Sequence, residues 1–320
     1  MRKTLALLLG PVLIGGLLLV GCQAQVSGSK ETLRLRVGLL PIVDALPMYV
    51  AEAEGYFKEQ NVEVELTLFG SALERDSALV AGQIDGELND LISTALINKD
   101  GEKAKVVRLA YRGNTTQAMV LVLAAPGSKI QSPKDLKGVP IAISKNSVIE
   151  FATDRLLQSA GLSESDIVKT EVTKMPVREE MLAKGQVQAA ALPEPLASLA
   201  VQQGARVIVD DSQSGVGQSV ITFRQEVVDK NQEAIKRFLA AYEKAVNTLN
   251  ESPNKYRDLM VDKAKVPDSL RSSFAVPPFP KAQASTKEDV NVVMEWMVKQ
   301  GLLTQPIPFE KMVNDQLLPK

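Results

Sequence analysis

Residues 33–90 read LRLRVGLLPIVDALPMYVAEAEGYFKEQNVEVELTLFGSALERDSALVAGQIDGELND, and their periodicity decides the fold class. Leu33, Leu35, Val37 and Leu39 alternate with Arg34, Arg36 and Gly38, and Val62, Val64, Leu66 and Leu68 alternate with Glu63, Glu65 and Thr67. A period of two puts one set of side chains on one face of an extended chain, so both segments are expected to be strands. Between them Val50, Ala53 and Phe57 recur at helical spacing behind Pro47, whose missing N–H is harmless in a first helical turn. Gly55 is expected to end that helix, and Asn61 to make a tight left-handed turn into the next strand. Gly70 and Ser71 open a second helix through Leu73, Ser77 and Val80, closed by Gly82, before Ile84 and Asp85 start a third strand. Two βα units in succession predict a parallel sheet whose loops, at the strand C-termini, face a ligand crevice.

The chain has 320 residues, 45% of them hydrophobic, enough for two domains of ordinary size. Lys and Arg number 37 against 38 Asp and Glu, a net charge of −1 without a basic cluster, which leaves no footprint for a nucleic acid. There is no histidine, so Ser-His-Asp and Cys-His catalysis and the commonest transition-metal ligand are excluded together. No GxxxxGK[ST] stretch is present for a nucleotide phosphate. No cofactor is expected.

The only cysteine is Cys22. Arg2 and Lys3 precede an apolar run from Leu5 to Val20, broken by glycines and Pro11, and Leu19-Val20-Gly21-Cys22 follows. This arrangement resembles a bacterial lipoprotein signal peptide. The resemblance implies cleavage after residue 21, lipid on Cys22, and a protein exported and held on the outer face of the cell membrane or in the periplasm. The other reading is a transmembrane helix, but the run falls short of about 18 to 20 clean apolar residues. Several acyl chains at roughly 0.8 kcal/mol per buried CH₂ anchor a protein without a spanning helix. Polar residues 22–31 then serve as a tether.

Further along, Leu91 to Ile97 predicts a helix and Lys105 to Ala110 a fourth strand ending at Tyr111-Arg112-Gly113-Asn114. Met119 to Ala124 is an apolar strand leaving the first domain, and Ser132 to Gly138 a short capped helix. The βα pattern then restarts with Val139 to Ile143, a helix from Ile149 to Ala160, a helix from Pro176 to Gly185, Ala189 to Leu192, Leu196 to Gln203, and Val207 to Val209. Ala81-Gly82-Gln83-Ile84 and Lys184-Gly185-Gln186-Val187 share one helix end followed by a β-branched residue, as two related lobes would. Ser219 to Phe223 is a second crossing strand, followed by a helix with Ile235, Phe238, Leu239, Tyr242 and Val246 on one face. Ser285 and Glu288 form a capping-box pattern for a last helix through Trp296 to Gly301. This helical end is expected to pack back on the first lobe. The lobes then comprise residues 32–121 with 219–320, and 122–218, in mixed, mainly parallel sheets with helices on both faces.

With these elements in place, Leu46-Pro47-Met48-Tyr49-Val50-Ala51 with Gly55-Tyr56-Phe57, Phe69-Gly70-Ser71, and Ala78 to Asp85 resemble landmarks of one family. Asp135-Leu136-Lys137-Gly138, Glu194-Pro195 and Met297 to Leu303 match it further along. The family is that of ABC-importer substrate-binding proteins of the type II periplasmic-binding-protein fold, with binders for nitrate, taurine, alkanesulfonates and thiamine-precursor pyrimidines. The resemblance implies a small-molecule ligand between the lobes, a permease with its ATPase as partner, a monomer, and no catalysis. It places ligand contacts at Val43 and Asp44, Ser71 and Ala72, Asn89 and Asp90, Tyr111 and Arg112, Asn146 and Ser147, and Glu194.

The residues themselves leave alternatives open. Ser71 and Ser147 stand where free N–H groups favour negative charge, or are plain N-caps worth about 1 kcal/mol. Asp44 and Asp90 hold a ligand or cap the following helices. Arg112 grips an acid or is a solvated loop arginine. Asp85 is assigned to structure, and Tyr49, Tyr111 and Phe151 are candidates to stack on a ring. Asp44, Asp90 and Glu194 against one arginine point to a neutral, zwitterionic or amine-bearing ligand such as a heterocycle. Other functions on this fold are a precursor synthase, which would consume a histidine absent here, a lyase, and a sensory ligand-binding lobe.

Overall fold

A computed structural model describes residues 33–319. The expected signal segment 1–21, Cys22 and the tether to residue 31 lie outside the described residues. Leu33–Leu39 (β1) and Val62–Leu68 (β2) pair in parallel, Leu33 opposite Val62 and Leu39 opposite Leu68. Leu46–Ala53 (α1) and Tyr56–Glu59 (α2) join them, separated by Gly55 at φ 75°, and Asn61 turns into β2 at φ 51°. Ala72–Val80 (α3) starts at Ser71, and Gly86–Asn89 (β3) lies beside β1. The third strand starts after Asp85 rather than at Ile84, because Asp85 is taken up by arginines. Its carboxylate lies 2.8 Å from Arg36 and 3.3 Å from Arg224. Leu91–Ile97 (α4) and Ala104–Arg112 (β4) complete the first run.

The second run is Val120–Ala124 (β5), Pro140–Ile143 (β6), Val148–Ser159 (α5), Val168–Glu171 (β7) and Met175–Ala183 (α6). Ala189–Pro193 (β8), Leu196–Gln202 (α7) and Arg206–Asp210 (β9) follow. The return strand Gln218–Arg224 (β10) leads into Gln225–Lys230 (α8), Gln232–Glu251 (α9), Arg257–Lys263 (α10), Lys287–Lys299 (α11) and Phe309–Met312 (α12). The strand orders are β2-β1-β3-β10-β4 and β7-β6-β8-β5-β9. Element for element these are the same arrangement: β10 runs antiparallel to β3 and β4, as β5 does to β8 and β9. The paired glycines occupy equivalent places in it. Gly82 ends α3 ahead of β3 at φ 71°, and Gly185 ends α6 ahead of β8 at φ 67°.

Each antiparallel strand lies wholly inside one sheet. The crossings expected at Met119 to Ala124 and Ser219 to Phe223 therefore shift: the chain passes between sheets through residues 113–119 and returns through 211–217. Buried Asp211 ties both passages. Its Oδ1 accepts from the N–H groups of Met119 (2.7 Å) and Val120 (3.0 Å), and its Oδ2 from Gly217 (3.0 Å). Gly113 and Gly217 permit this approach, because a Cβ on either would lie 2.6 Å from an Asp211 carboxylate oxygen.

The α9 face predicted from its spacing is fully buried, with Phe238 stacked on Phe57 at 5.4 Å. The last long helix is capped one residue later than expected. Thr286 accepts from Asp289 N–H at 3.1 Å and Asp289 accepts from Thr286 N–H at 2.9 Å, while Ser285 instead donates to Gln218 at 2.8 Å. That helix packs on α4 of the first sheet, as expected, and also reaches the second. Trp296 Nε1 donates to Asp154 of α5 at 2.9 Å, and its ring meets Phe151 edge-on at 5.5 Å.

Replacing Asp211 by alanine strands three buried N–H groups. We expect the urea midpoint of Asp211→Ala to report a loss of about 2–4 kcal/mol. A loss below about 1 kcal/mol contradicts the role given to this carboxylate.

Candidate functional site

The loops at the C-terminal ends of the parallel strands from both sheets enclose a cavity of about 300 Å³. Val43 and Asp44 reach it from the turn after β1, Ser71 and Ala72 from the start of α3, Asn89 and Asp90 from the end of β3, and Tyr111 from β4. From the second sheet come Asn146 and Ser147 ahead of α5, and Glu194 after β8. Arg112 does not join them. Neighbouring residues of a strand point to opposite faces, so with β4 continuing to Arg112, Tyr111 faces the cavity and Arg112 faces away, into an ion pair with Asp289 at 2.6 Å. Of the three candidate stacking rings only Tyr111 lines the cavity, backed by Phe279 at 5.7 Å. Tyr49 and Phe151 are core residues.

Several of these groups are already committed within the protein. Ser71 Oγ accepts from Glu74 N–H (3.3 Å), and Glu74 accepts in return from Gly70 N–H (3.0 Å), a reciprocal cap. Asn89 donates to Glu87 (2.7 Å) and accepts from the Thr222 hydroxyl (2.7 Å), tying β3 to β10. Ser147 donates to Ser144 O (2.8 Å) and accepts from Ile149 N–H (3.2 Å). Asn146, at φ 56°, has its N–H held by Glu150 at 2.7 Å.

The three acids differ in how their charge is met. Asp90 caps α4, accepting from Ser93 N–H at 2.8 Å, and its second oxygen accepts from Val148 N–H of α5 at 3.3 Å. Burial pushes its pKa up, and these two N–H groups and Arg75 oppose the shift. Glu194 accepts from both the N–H and the hydroxyl of Ser198, at 3.1 and 2.9 Å; burial raises its pKa against those bonds. Asp44 accepts no completed hydrogen bond from a helix start. Burial pushes its carboxyl up to about 6, with the Asp211 charge adding to the shift and the nearby Ser219 hydroxyl and its own N–H opposing it. By distance and angle, neither Asp44 Oδ2 nor Ser219 Oγ completes a hydrogen bond among the described residues.

Residues not anticipated from sequence also line the cavity, among them Arg75, Asp76, Lys145, Glu171, Gln117 and Ser219. The expected single arginine, Arg112, is thus replaced by Arg75. Its guanidinium is already engaged by Asp76 at 2.7 Å, Leu88 O at 2.6 Å and Glu87 at 3.4 Å. The lining carboxylates Asp44, Asp76, Asp90, Glu171 and Glu194 outnumber the cations Arg75 and Lys145. No sequence signal places Glu171, because β7, Val-Lys-Thr-Glu at a sheet edge, has a single apolar residue to mark it. Among the described residues no cluster of acids could hold a metal ion, and no helix is long and apolar enough to cross a membrane.

The folded pKa of Asp44 lies above the unfolded value of about 3.9. Its contribution to stability is therefore present below that value and lost as the pH rises through about 6. Asp44→Asn is expected to stabilise the ligand-free protein at pH 7.5 by on the order of 1–3 kcal/mol, and by little at pH 4. Urea denaturation at both pH values checks this; a less stable variant at pH 7.5 contradicts an uncompensated carboxylate.

Comparison with known proteins follows the same geometry. Residues 43–256, more than half of the chain, match the family described as NMT1/THI5 like. A Bacillus subtilis protein provisionally named binding protein YtlA is 22% identical over 98% of this chain and 97% of its own length. An Escherichia coli protein provisionally named aliphatic sulfonates-binding protein is 28% identical over 72% of each chain. Among solved structures, the alkanesulfonate-binding protein SsuA from Xanthomonas axonopodis pv. citri bound to MOPS superposes with a TM-score of 0.74 at 19% identity, covering 88% of this chain and 98% of that one. The two-sheet fold is theirs, and the chain belongs to the NMT1/THI5-like family.

Proposed function

We propose that this protein is the extracytoplasmic solute-binding component of an ABC importer, and that its ligand is a small amine-bearing molecule or N–H-rich heterocycle. Membership of the family and relatives named as binding proteins support the first part. One observation carries the second: Asp44 Oδ2 is buried, faces the cavity and completes no hydrogen bond among the described residues, with only the Ser219 hydroxyl near its carboxylate. A ligand N–H or ammonium supplies the missing donor, and it is attracted by a lining in which carboxylates predominate. The relatives named for sulfonates are similar in fold, but this charge balance argues against a sulfonate here. Tyr111 offers a face for a ring.

Capture involves the two sheets, with the lobe boundaries drawn at the passages 113–119 and 211–217, closing on the ligand as rigid bodies and presenting it to a permease and its ATPase. The protein acts as a monomer and performs no covalent chemistry. Cys22 carries lipid that keeps it at the outer face of the membrane.

Native mass spectrometry of the purified full chain is expected to retain a small nitrogenous compound, and tight binding of nitrate or an alkanesulfonate by the wild type contradicts the ligand class. A cationic ligand needs Asp44 ionised, so its affinity is expected to rise as the pH increases through about 6 and then level off; Asp44→Asn weakens binding and flattens this profile. Cys22→Ser is expected to move the protein from the detergent phase to the aqueous phase of a phase-partition assay, and its retention with the membrane contradicts the anchor.

A further inference from the structure

The N-terminus of α5 faces the cavity and, by its free N–H groups and dipole, is the natural seat for an anion on the second sheet. In this chain three of the N–H groups around that seat are taken. Asn146 N–H is held by Glu150 (2.7 Å), Ile149 N–H by the Ser147 hydroxyl (3.2 Å), and Val148 N–H by the carboxylate of Asp90 (3.3 Å) reaching across from the first sheet. The Ser147 hydroxyl proton is spent on Ser144 O at 2.8 Å. A ligand anion arriving here meets no free donor among these groups and a buried negative charge in its place. The unpartnered Asp44 Oδ2 on the same cavity points the same way, to a ligand that donates rather than accepts.

We propose that Asp90 determines ligand charge: its carboxylate occupies the α5 N-terminus as a built-in anion, and so excludes sulfonates and other oxyanions from the cavity. The inference rests on the ligand class proposed above and assigns it to one residue. Asp90 has a second task, capping α4 through Ser93 N–H at 2.8 Å, so the informative substitutions are those that keep the cap. Asn and Ser are N-caps of the same quality. Asp90→Asn removes the charge and releases Val148 N–H.

The test titrates methanesulfonate, at constant ionic strength, into the full chain and its variants by calorimetry. Wild type is expected to bind it weakly or not at all. Asp90→Asn is expected to bind it at least about tenfold more tightly, the size of effect that one charge-assisted hydrogen bond and the loss of one opposing charge can supply. Val148→Pro added to Asp90→Asn removes that N–H. Proline is tolerated at a first helical position, and Ser147 before it is already extended at φ −141°, ψ 171°; the gain is expected to disappear. Asp90→Ser serves if Asp90→Asn fails to fold by thermal melting. No gain in a folded Asp90 variant overturns the inference and leaves the ligand class standing, as does a gain that survives Val148→Pro. Tight binding of methanesulfonate by the wild type overturns both.

Discussion

The carboxylate of Asp211 is where the two sheets of this protein are joined. A buried carboxylate without a cation is costly, and here it is stabilised by three backbone N–H groups that would themselves be unpaired without it. Two of the donors, Met119 and Val120, stand at the entry of β5, and the third, Gly217, immediately precedes β10. One side chain therefore sets the starting point of the antiparallel strand in each sheet. The registers that follow, Val120 opposite Pro193 in one sheet and Val220 opposite Asn89 in the other, place Met119 and Ser219 on the cavity floor. The glycines at 113 and 217 are required by this approach alone, since any Cβ there would displace the carboxylate.

The acids of the cavity continue that logic and depart from it at one point. Asp90 and Glu194 receive N–H groups from helix starts, which offset part of the destabilisation that burial imposes on their charged forms. Asp44 receives nothing comparable, and its raised pKa records the destabilisation of its charged form. Packing alone would favour an asparagine or serine there. A residue that is unfavourable to the empty protein and faces a cavity lined from both sheets has its compensation in what binds.

Much of this was legible in the sequence because the relevant signals are local. Alternation marked β1 and β2, a 3.6-residue period marked α9, and serines or acids ahead of helices marked the cavity-facing starts of α3, α4 and α5. What could not be read is what depends on partners distant in sequence. Asp211 looks like any loop acid until residues 113–119 fold against it. Arg75 sits mid-helix and reaches the cavity only through the packing of α3 on β3. Arg112 was misplaced by a single position: had β4 ended at Ala110, both following residues would lie in a loop, but a strand continuing to Arg112 forces Tyr111 and Arg112 apart. Thr286 for Ser285 is the same kind of error, since two adjacent hydroxyl residues make equally good caps and only the engagement of Ser285 by Gln218 separates them.

The contacts between the sheets are unequal, and the inequality bears on how the proposed closure works. On the cavity side, Asp90 to Val148 is one hydrogen bond at 3.3 Å. On the opposite side Arg112, Phe151, Gly215, Asp289 and Val293 gather around a second cavity, so β4, α5, the return passage and α11 meet there. Trp296 adds a buried bond to Asp154 beside them, and Asp211 holds both passages. A rotation that separates the sheets at the cavity and keeps the Trp296–Asp154 bond has its axis towards this far side. Opening then breaks the Asp90 bond first.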